Sequence, residues 1–277
     1  MEYQRTLAVP LRFSGVGVHT GNPVTMTLMP SEAGDLVFVR TDIGGEIRPV
    51  DADVESGRFT ALSSGGVRVL TIEHLMAALS ACGVDSLRIE LDAEEAPILD
   101  GSALPYARAM SEAGTVPIPV ERKRLKITRP FTIEDGEASF SVEPDEVFRI
   151  SYDIHFDHPA VGRQRLELTV TEETFLREIA PARTFGFFKD VDDLRRRGLA
   201  LGGSLDNAVV FDETGVMNGP LRFPDECVRH KIADLIGDLF LFGCPVLGRF
   251  TAVRAGHALH LRMVRALRDD SSLAVFV

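Results

Sequence analysis

Residues 115–127 read TVPIPVERKRLKI, two prolines followed by a basic cluster. Proline interrupts regular structure and clustered charge resists burial, so the segment reads as a linker. Beyond it strand patterns restart in KITRPFTIED, ASFSVEP, FRISYDIHF and QRLELTV. Before it, residues 5–40 read as strands: VTMTLMP (24–30) alternates apolar and polar, and GDLVFVR (34–40) is a short apolar run after a glycine. TIEHLMAALSACG (71–83) is expected to be a helix, with Ile72, Leu75, Met76, Leu79 and Cys82 at helical spacing, Thr71 as N-cap and Gly83 as its stop. DSLRIELD (85–92) alternates as a strand, and residues 95–114 give a Pro/Gly turn and a helix ending at Gly114. In the second half a helix is expected in TEETFLREIA, irregular chain in RTFGFFKD, a helix at 190–197 and a strand in AVVFD. A helix over about 225–242, a strand in GRFTAVRAG and a helix at 257–268 complete it. Strands followed by helices on either side of a linker predict an α+β protein of two domains, 1–120 and 121–277, each a β-sheet layer packed on a helix layer.

The 277 residues suffice for a core without disulfides, and 45% hydrophobic with 26% charged residues is ordinary for a soluble globular protein. A net charge of −11 argues against a general nucleic-acid binder, though not against a phosphate ligand. Three cysteines without CxxC spacing suggest reduced thiols in the cytoplasm. The N-terminus lacks the pattern of a signal peptide, and no apolar run approaches the roughly 20 residues that span a bilayer. SGVGVHTG (14–21) has the spacing G-x-G-x-x-x-G with no helix after it, so it reads as a tight connection holding His19 out on a loop.

The chemistry gathers in RHKIADLIGD (229–238), where His230, Asp234 and Asp238 recur every fourth residue beside apolar Ile232, Leu235 and Ile236. Four-residue steps on a helix drift by only about 40°, so the three form one polar stripe. His230 and Asp234 sit roughly 5–6 Å apart at their β-carbons, close enough to grip one metal ion. His74, from the helix that opens with Glu73-His74, would complete a His/His/Asp set with a fourth position open, and Glu73 could act as a base there. Both histidines are read as opening their helices. A solvated polar face would give the same stripe.

The ordered motifs SGVGVHTG, TIEHLMAALSACGVDS, PILDGSALPY, ARTFGF, GGSLDNAVVFD, VRHKIADLIGDLFLFG and AGHALH span nearly the whole chain. Together they closely resemble the UDP-3-O-acyl-N-acetylglucosamine deacetylases, zinc enzymes of lipid A biosynthesis. The resemblance implies the two-domain α+β fold with the active site between the domains. It implies zinc on His74, His230 and Asp234, a set that suits Fe2+ as well. It makes Glu73 the general base and His257 the cation that stabilises the oxyanion and protonates the leaving amine. Asp238 is implied as the partner of His257, Thr184 as an oxyanion donor and Lys231 as a substrate contact near the metal. It places the acyl chain along Val191, Leu194, Ala200, Ala208 and Val210, with Phe185 of ARTFGF among the substrate contacts, and uracil on Phe156. Taken alone, those apolar residues would read as ordinary core. The chain ends soon after AGHALH, so the fused dehydratase of some members is not expected.

Some positions depart from the family pattern. EDGEASF (134–140) is shorter by about two residues and offers no lysine toward the nucleotide, which leaves the diphosphate to Lys231 and nearby arginines. Ser56 and Gly57 stand about where many members carry threonine, and GVDS replaces the usual GIDN. Two other functions fit parts of the pattern: a non-catalytic acyl-nucleotide binder and a structural-metal protein. The intact Glu73, His74, His230, Asp234 and His257 disfavour the first, and an aspartate ligand without a fourth protein ligand disfavours the second. The expected partner is a small nucleotide-linked acyl sugar, with no nucleic acid, no stable membrane insertion and no obligate protein partner.

Overall fold

Alternating strands dominate the first half of the chain, as a computed structural model describing residues 2–277 shows. They are β1 (Tyr3–Leu7), β2 (Leu11–Val16), β3 (Pro23–Pro30), β4 (Leu36–Arg40), β5 (Gly45–Ile47), β6 (Asp53–Ser56), β7 (Thr60–Ser64) and β8 (Val67–Leu70). Helix α1 (Glu73–Ala81), β9 (Leu87–Leu91), α2 (Leu104–Ala113) and β10 (Thr115–Glu121) follow. The second half runs β11 (Leu125–Ile127), β12 (Phe131–Asp135), β13 (Ala138–Glu143), β14 (Phe148–Phe156), β15 (Gly162–Thr169) and α3 (Glu172–Thr174), which a π-turn prolongs to Ile179. It continues with β16 (Phe185–Phe187), α4 (Phe188–Arg196), β17 (Val209–Phe211), α5 (Glu226–Leu239), β18 (Val246–Val253), α6 (His257–Asp269) and β19 (Ala274–Phe276).

The fold is α+β. A five-stranded sheet in the order β2-β3-β9-β4-β5, a three-stranded sheet β6-β7-β8 and the pair β1-β10 come from the first half. A seven-stranded sheet built around β18, which pairs with β11, β13 and β14, comes from the second half, together with the parallel pair β16-β17. Helices fill the space between: α1 packs on α2 and α5, and α5 on α6, β14 and β15. Leu75, Leu79, Ile232 and Ile236 are fully buried there, each contributing about 1.5–3 kcal/mol from apolar burial. The helices approach closely at Gly237, where a β-carbon would lie 2.1 Å from the backbone oxygen of Glu73. Only a residue without a side chain lets α1 and α5 meet so closely.

Several expectations need correction. The start of the proline-bearing segment is no free linker: Thr115–Glu121 is a strand hydrogen-bonded antiparallel to β1. Such a two-stranded edge tolerates its prolines because only one side of the strand is paired. RTFGFFKD contains β16, held by β17, and leads straight into α4, which begins at Phe188 rather than 190. The strands between 45 and 70 were not read from the sequence, and neither was β19. Thr71 is not the N-cap of α1; Ile72 occupies that position without a side-chain cap, and Thr71 has a left-handed φ of 57°. His230 does not open α5 but sits one turn inside it.

Candidate active site

A buried helix cannot carry charge without partners, and α5 is buried on nearly every side. His230, Asp234 and Asp238 are therefore an interior polar stripe, not a solvated face, with partners drawn from α1, α5, α6, β7 and the loop at Ala182. His230 Nδ1 contacts the carbonyl of Ala182 at 3.1 Å, which leaves Nε2 facing Asp234 Oδ1 at 3.3 Å. His74, at the start of α1, brings its Nε2 to 3.7 Å from the same oxygen. The donor atoms of His74, His230 and Asp234 all lie within 4.8 Å of one another. Asp234 Oδ1 is buried and has no hydrogen-bond partner, while Oδ2 accepts from Lys231 Nζ at 2.6 Å. Lys231 thus ion-pairs with Asp234 on the cavity wall.

Electrostatics sets these groups in the forms a metal needs. Burial, reinforced by His230, lowers His74 to about 3, and burial also lowers His230, so both imidazoles are neutral. Burial would raise Asp234, but the charged Lys231 and His257 hold it well below the carboxylate range. A buried carboxylate oxygen without a hydrogen-bond partner, between two neutral imidazoles, could hold a cation, and the set suits Zn2+ with its preference for His and Asp.

Beside the three donors lie a carboxyl and an imidazole that face each other. Burial lifts the Glu73 carboxyl to about 8 against the opposing pull of His257. Burial would lower His257, yet Asp238 and Asp234 raise it to about 9. His257 Nε2 faces Glu73 Oε1 across 3.9 Å, while its Nδ1 donates to Asp238 Oδ2 at 2.7 Å. Asp238 Oδ2 also accepts from His260 Nδ1 at 2.8 Å, and His260 Nε2 reaches the Tyr152 hydroxyl at 3.0 Å. These two histidines overcome the cost of burial and hold Asp238 at about 2.

A cavity of about 550 Å3 opens over this cluster. Glu73, His74, Thr184, Lys231, His230, Asp234 and His257 line its polar end, and Phe156, Phe185, Val191, Leu194, Ala200, Ala208 and Val210 lie on its walls. Asp238, fully buried, stands behind His257 outside the lining. Thr184 is fixed by its backbone, which donates to Gly101 and accepts from Val209 at 2.7 and 2.8 Å. Phe156 packs edge-on against Phe185, ring centroids 5.4 Å apart.

The glycine loop holds His19 inward, against expectation: the residue is buried and its ring lies 4.9 Å from Phe59. Glu95 explains the loop. Its carboxylate accepts from the His19 and Thr20 amides at 2.9 and 2.7 Å and from the Thr71 hydroxyl at 2.7 Å. Gly17 is required because a β-carbon there would fall 2.2 Å from Glu95 Oε2. The same carboxylate holds Thr71 in its left-handed conformation two residues before Glu73, a local strain of the kind that gathers at working sites.

Sequence reasoning did not single out Thr60, His260 or Tyr152. Thr60, at the start of β7, donates its hydroxyl to Asp238 Oδ1 at 2.5 Å, and Gly57 lies on the cavity wall. His260 had a signal in the spacing H-A-L-H, which puts it on the same face of α6 as His257.

The cleft of this α+β fold sets residues that could hold a metal beside a buried carboxyl and a histidine, an arrangement suited to a hydrolase. The family model for UDP-3-O-acyl N-acetylglycosamine deacetylase matches residues 4–269, and the chain belongs to that deacetylase family. It is 50% identical over 274 residues to the UDP-3-O-acyl-N-acetylglucosamine deacetylase of Syntrophotalea carbinolica, covering 96% of this chain and 88% of that protein. Similar matches are the deacetylases of that name from Myxococcus xanthus, 47% identical over 97% of this chain and 87% of the relative, and from Anaeromyxobacter dehalogenans, 44% identical over 96% and 88%. Among the described residues, no helix is long and apolar enough to cross a membrane.

Proposed function

We propose that this protein removes the N-acetyl group of UDP-3-O-acyl-N-acetylglucosamine by zinc-dependent hydrolysis. The products are acetate and UDP-3-O-acyl-glucosamine, and the step commits its substrate to lipid A. The observation that carries the reading is the unpaired Asp234 Oδ1 between the neutral His74 and His230 at the polar end of the cavity. His74, His230 and Asp234 would hold the ion, which supplies Lewis-acid polarisation of the amide carbonyl.

The chain's own residues supply the rest. Glu73 takes the proton of the attacking water in its ionised form; burial lifts its carboxyl to about 8, and a cation on His74, His230 and Asp234 would pull it back down. His257, kept charged by Asp238, faces the developing oxyanion and delivers a proton from Nε2 to the departing nitrogen, without which an amide does not cleave. Thr184 lies on the wall of the same space and donates to the oxyanion, and Lys231 adds positive charge near it. The acyl chain runs along Val191, Leu194, Ala200, Ala208 and Val210 beside Phe185, and uracil stacks on Phe156. Residues 1–120 and 121–277 form the two domains of this reading, with the cavity between them. The three unpaired, buried thiols Cys82, Cys227 and Cys244 suit the reducing cytoplasm.

Acetate release from the nucleotide sugar tests the proposal. Zinc-loaded protein should release acetate, a chelator should stop it, and zinc should restore it. A zinc-loaded protein that binds the substrate but frees no acetate overturns the catalytic reading, and cooperative unfolding on chelation would make the metal structural.

A further inference from the structure

Thr60 opens β7 and is buried, with 1% of its surface exposed. Its backbone N–H donates to Glu73 Oε2 at 3.1 Å, and its hydroxyl donates to Asp238 Oδ1 at 2.5 Å. The same hydroxyl oxygen lies 3.1 Å from His257 Nδ1. One residue of the first half therefore touches the general base, the general acid and the carboxylate behind that acid.

We propose that Thr60 is a positioning residue that sets the acid and the base in register, its amide orienting Glu73 and its hydroxyl orienting Asp238. The inference rests on the reading of Glu73 and His257 as base and acid. Asp238 Oδ2 is shared by two imidazoles, His257 at 2.7 Å and His260 at 2.8 Å. Nothing in that shared contact stops the carboxylate plane from turning. The Thr60 hydroxyl on Oδ1 stops it, because a buried carboxylate oxygen keeps whatever donor reaches it. With Oδ1 occupied, Oδ2 accepts from His257 Nδ1–H, so Nε2 is the nitrogen that faces the cavity. On the other side, the Thr60 amide takes Glu73 Oε2 and leaves Oε1 toward His257 Nε2, 3.9 Å away. A single backbone unit thus selects which atom of the base and which atom of the acid meet the substrate. Such settings matter because reacting groups misplaced by about 1 Å can cost about a hundredfold in rate.

The alternative is that Thr60 only fills space, its methyl packing and its hydroxyl incidental. Ser and Ala variants separate the two, since they lack the same methyl and differ only in the hydroxyl. Zinc-loaded Thr60→Ser is expected to keep kcat within about threefold of the parent, whereas Thr60→Ala and Thr60→Val should lose about tenfold or more in kcat with KM within about twofold. Zinc content should match the parent in all three. Full kcat in Thr60→Ala, or equal losses in Thr60→Ser and Thr60→Ala, would overturn the proposal while leaving the deacetylase reading intact. A parent protein that releases no acetate would instead remove the reading beneath it. If Thr60→Val does not fold, the Ser/Ala comparison still decides.

Discussion

Asp234 and Asp238 lie one turn apart on α5 and meet different histidine nitrogens most closely: Asp234 Oδ1 sits 3.3 Å from His230 Nε2, whereas Asp238 Oδ2 sits 2.7 Å from His257 Nδ1. Spacing alone treats them alike; on the proposed reading the first is a metal ligand and the second the partner of the acid. Asp234→Asn should lose zinc affinity and activity together. Asp238→Asn should keep its zinc and turn over more slowly, with the basic limb of its pH profile moved to lower pH. The sign follows from His257, which must stay protonated and which Asp238 helps hold at about 9; without the carboxylate it deprotonates earlier as pH rises. Metal analysis beside pH profiles checks both, and zinc lost from Asp238→Asn alone would reverse the assignment.

Glu73→Gln and His257→Gln should each lower turnover by about 10²–10⁴-fold, the usual size of an acid–base contribution. Neither residue belongs to the His74, His230 and Asp234 set proposed to hold the ion, so zinc content should stay near that of the parent. Near-parental turnover in either variant removes that residue from the mechanism.

Phe156 lies on the cavity wall against Phe185 and Phe187. Phe156→Ala should weaken binding of the uridine portion by about 1–3 kcal/mol, the range of a base–aromatic stack. Titration calorimetry with UDP reads this directly; unchanged affinity with a lower Tm would make Phe156 a packing residue.

Glu226 opens α5 and accepts from the Arg183 and Arg222 amides at 3.0 and 2.6 Å, with the Arg183 guanidinium at 2.9 Å. Burial would raise its pKa, but these donors hold it below the ordinary carboxylate value. A carboxyl lowered in the folded state stabilises above its unfolded pKa, near 4, and loses that contribution as pH falls through the folded value. Glu226→Gln should lower Tm at neutral pH and flatten the loss of Tm in acid. An unchanged acid limb would show that another group carries it.

The elements with strong periodicity were legible: α1, α5 and α6 from their apolar spacing, β3 and β9 from alternation. His230 and Asp234 were legible as a pair because a helix fixes what lies four residues away. Thr60 was not, since its value comes from Asp238, 178 residues further along, and no local pattern announces such a contact. The short strands from 45 to 70 escaped because three to five residues offer too few alternations to stand out. Thr115–Glu121 was misread because proline signals a break, while its pairing with β1 is a tertiary fact. The left-handed Thr71 was likewise hidden, because its backbone conformation depends on the distant Glu95.

The bare α-carbon of Gly237 against the Glu73 carbonyl has a consequence for how the enzyme can be assembled. His74 rides on α1, and His230 and Asp234 ride on α5, so neither helix holds enough donors to capture an ion alone. The contact at Gly237 is the spacer that brings the two partial sets within reach. Metal uptake then reports whether the two helices have docked, and any defect that parts them, however remote from the cavity, would first be seen as failure to load.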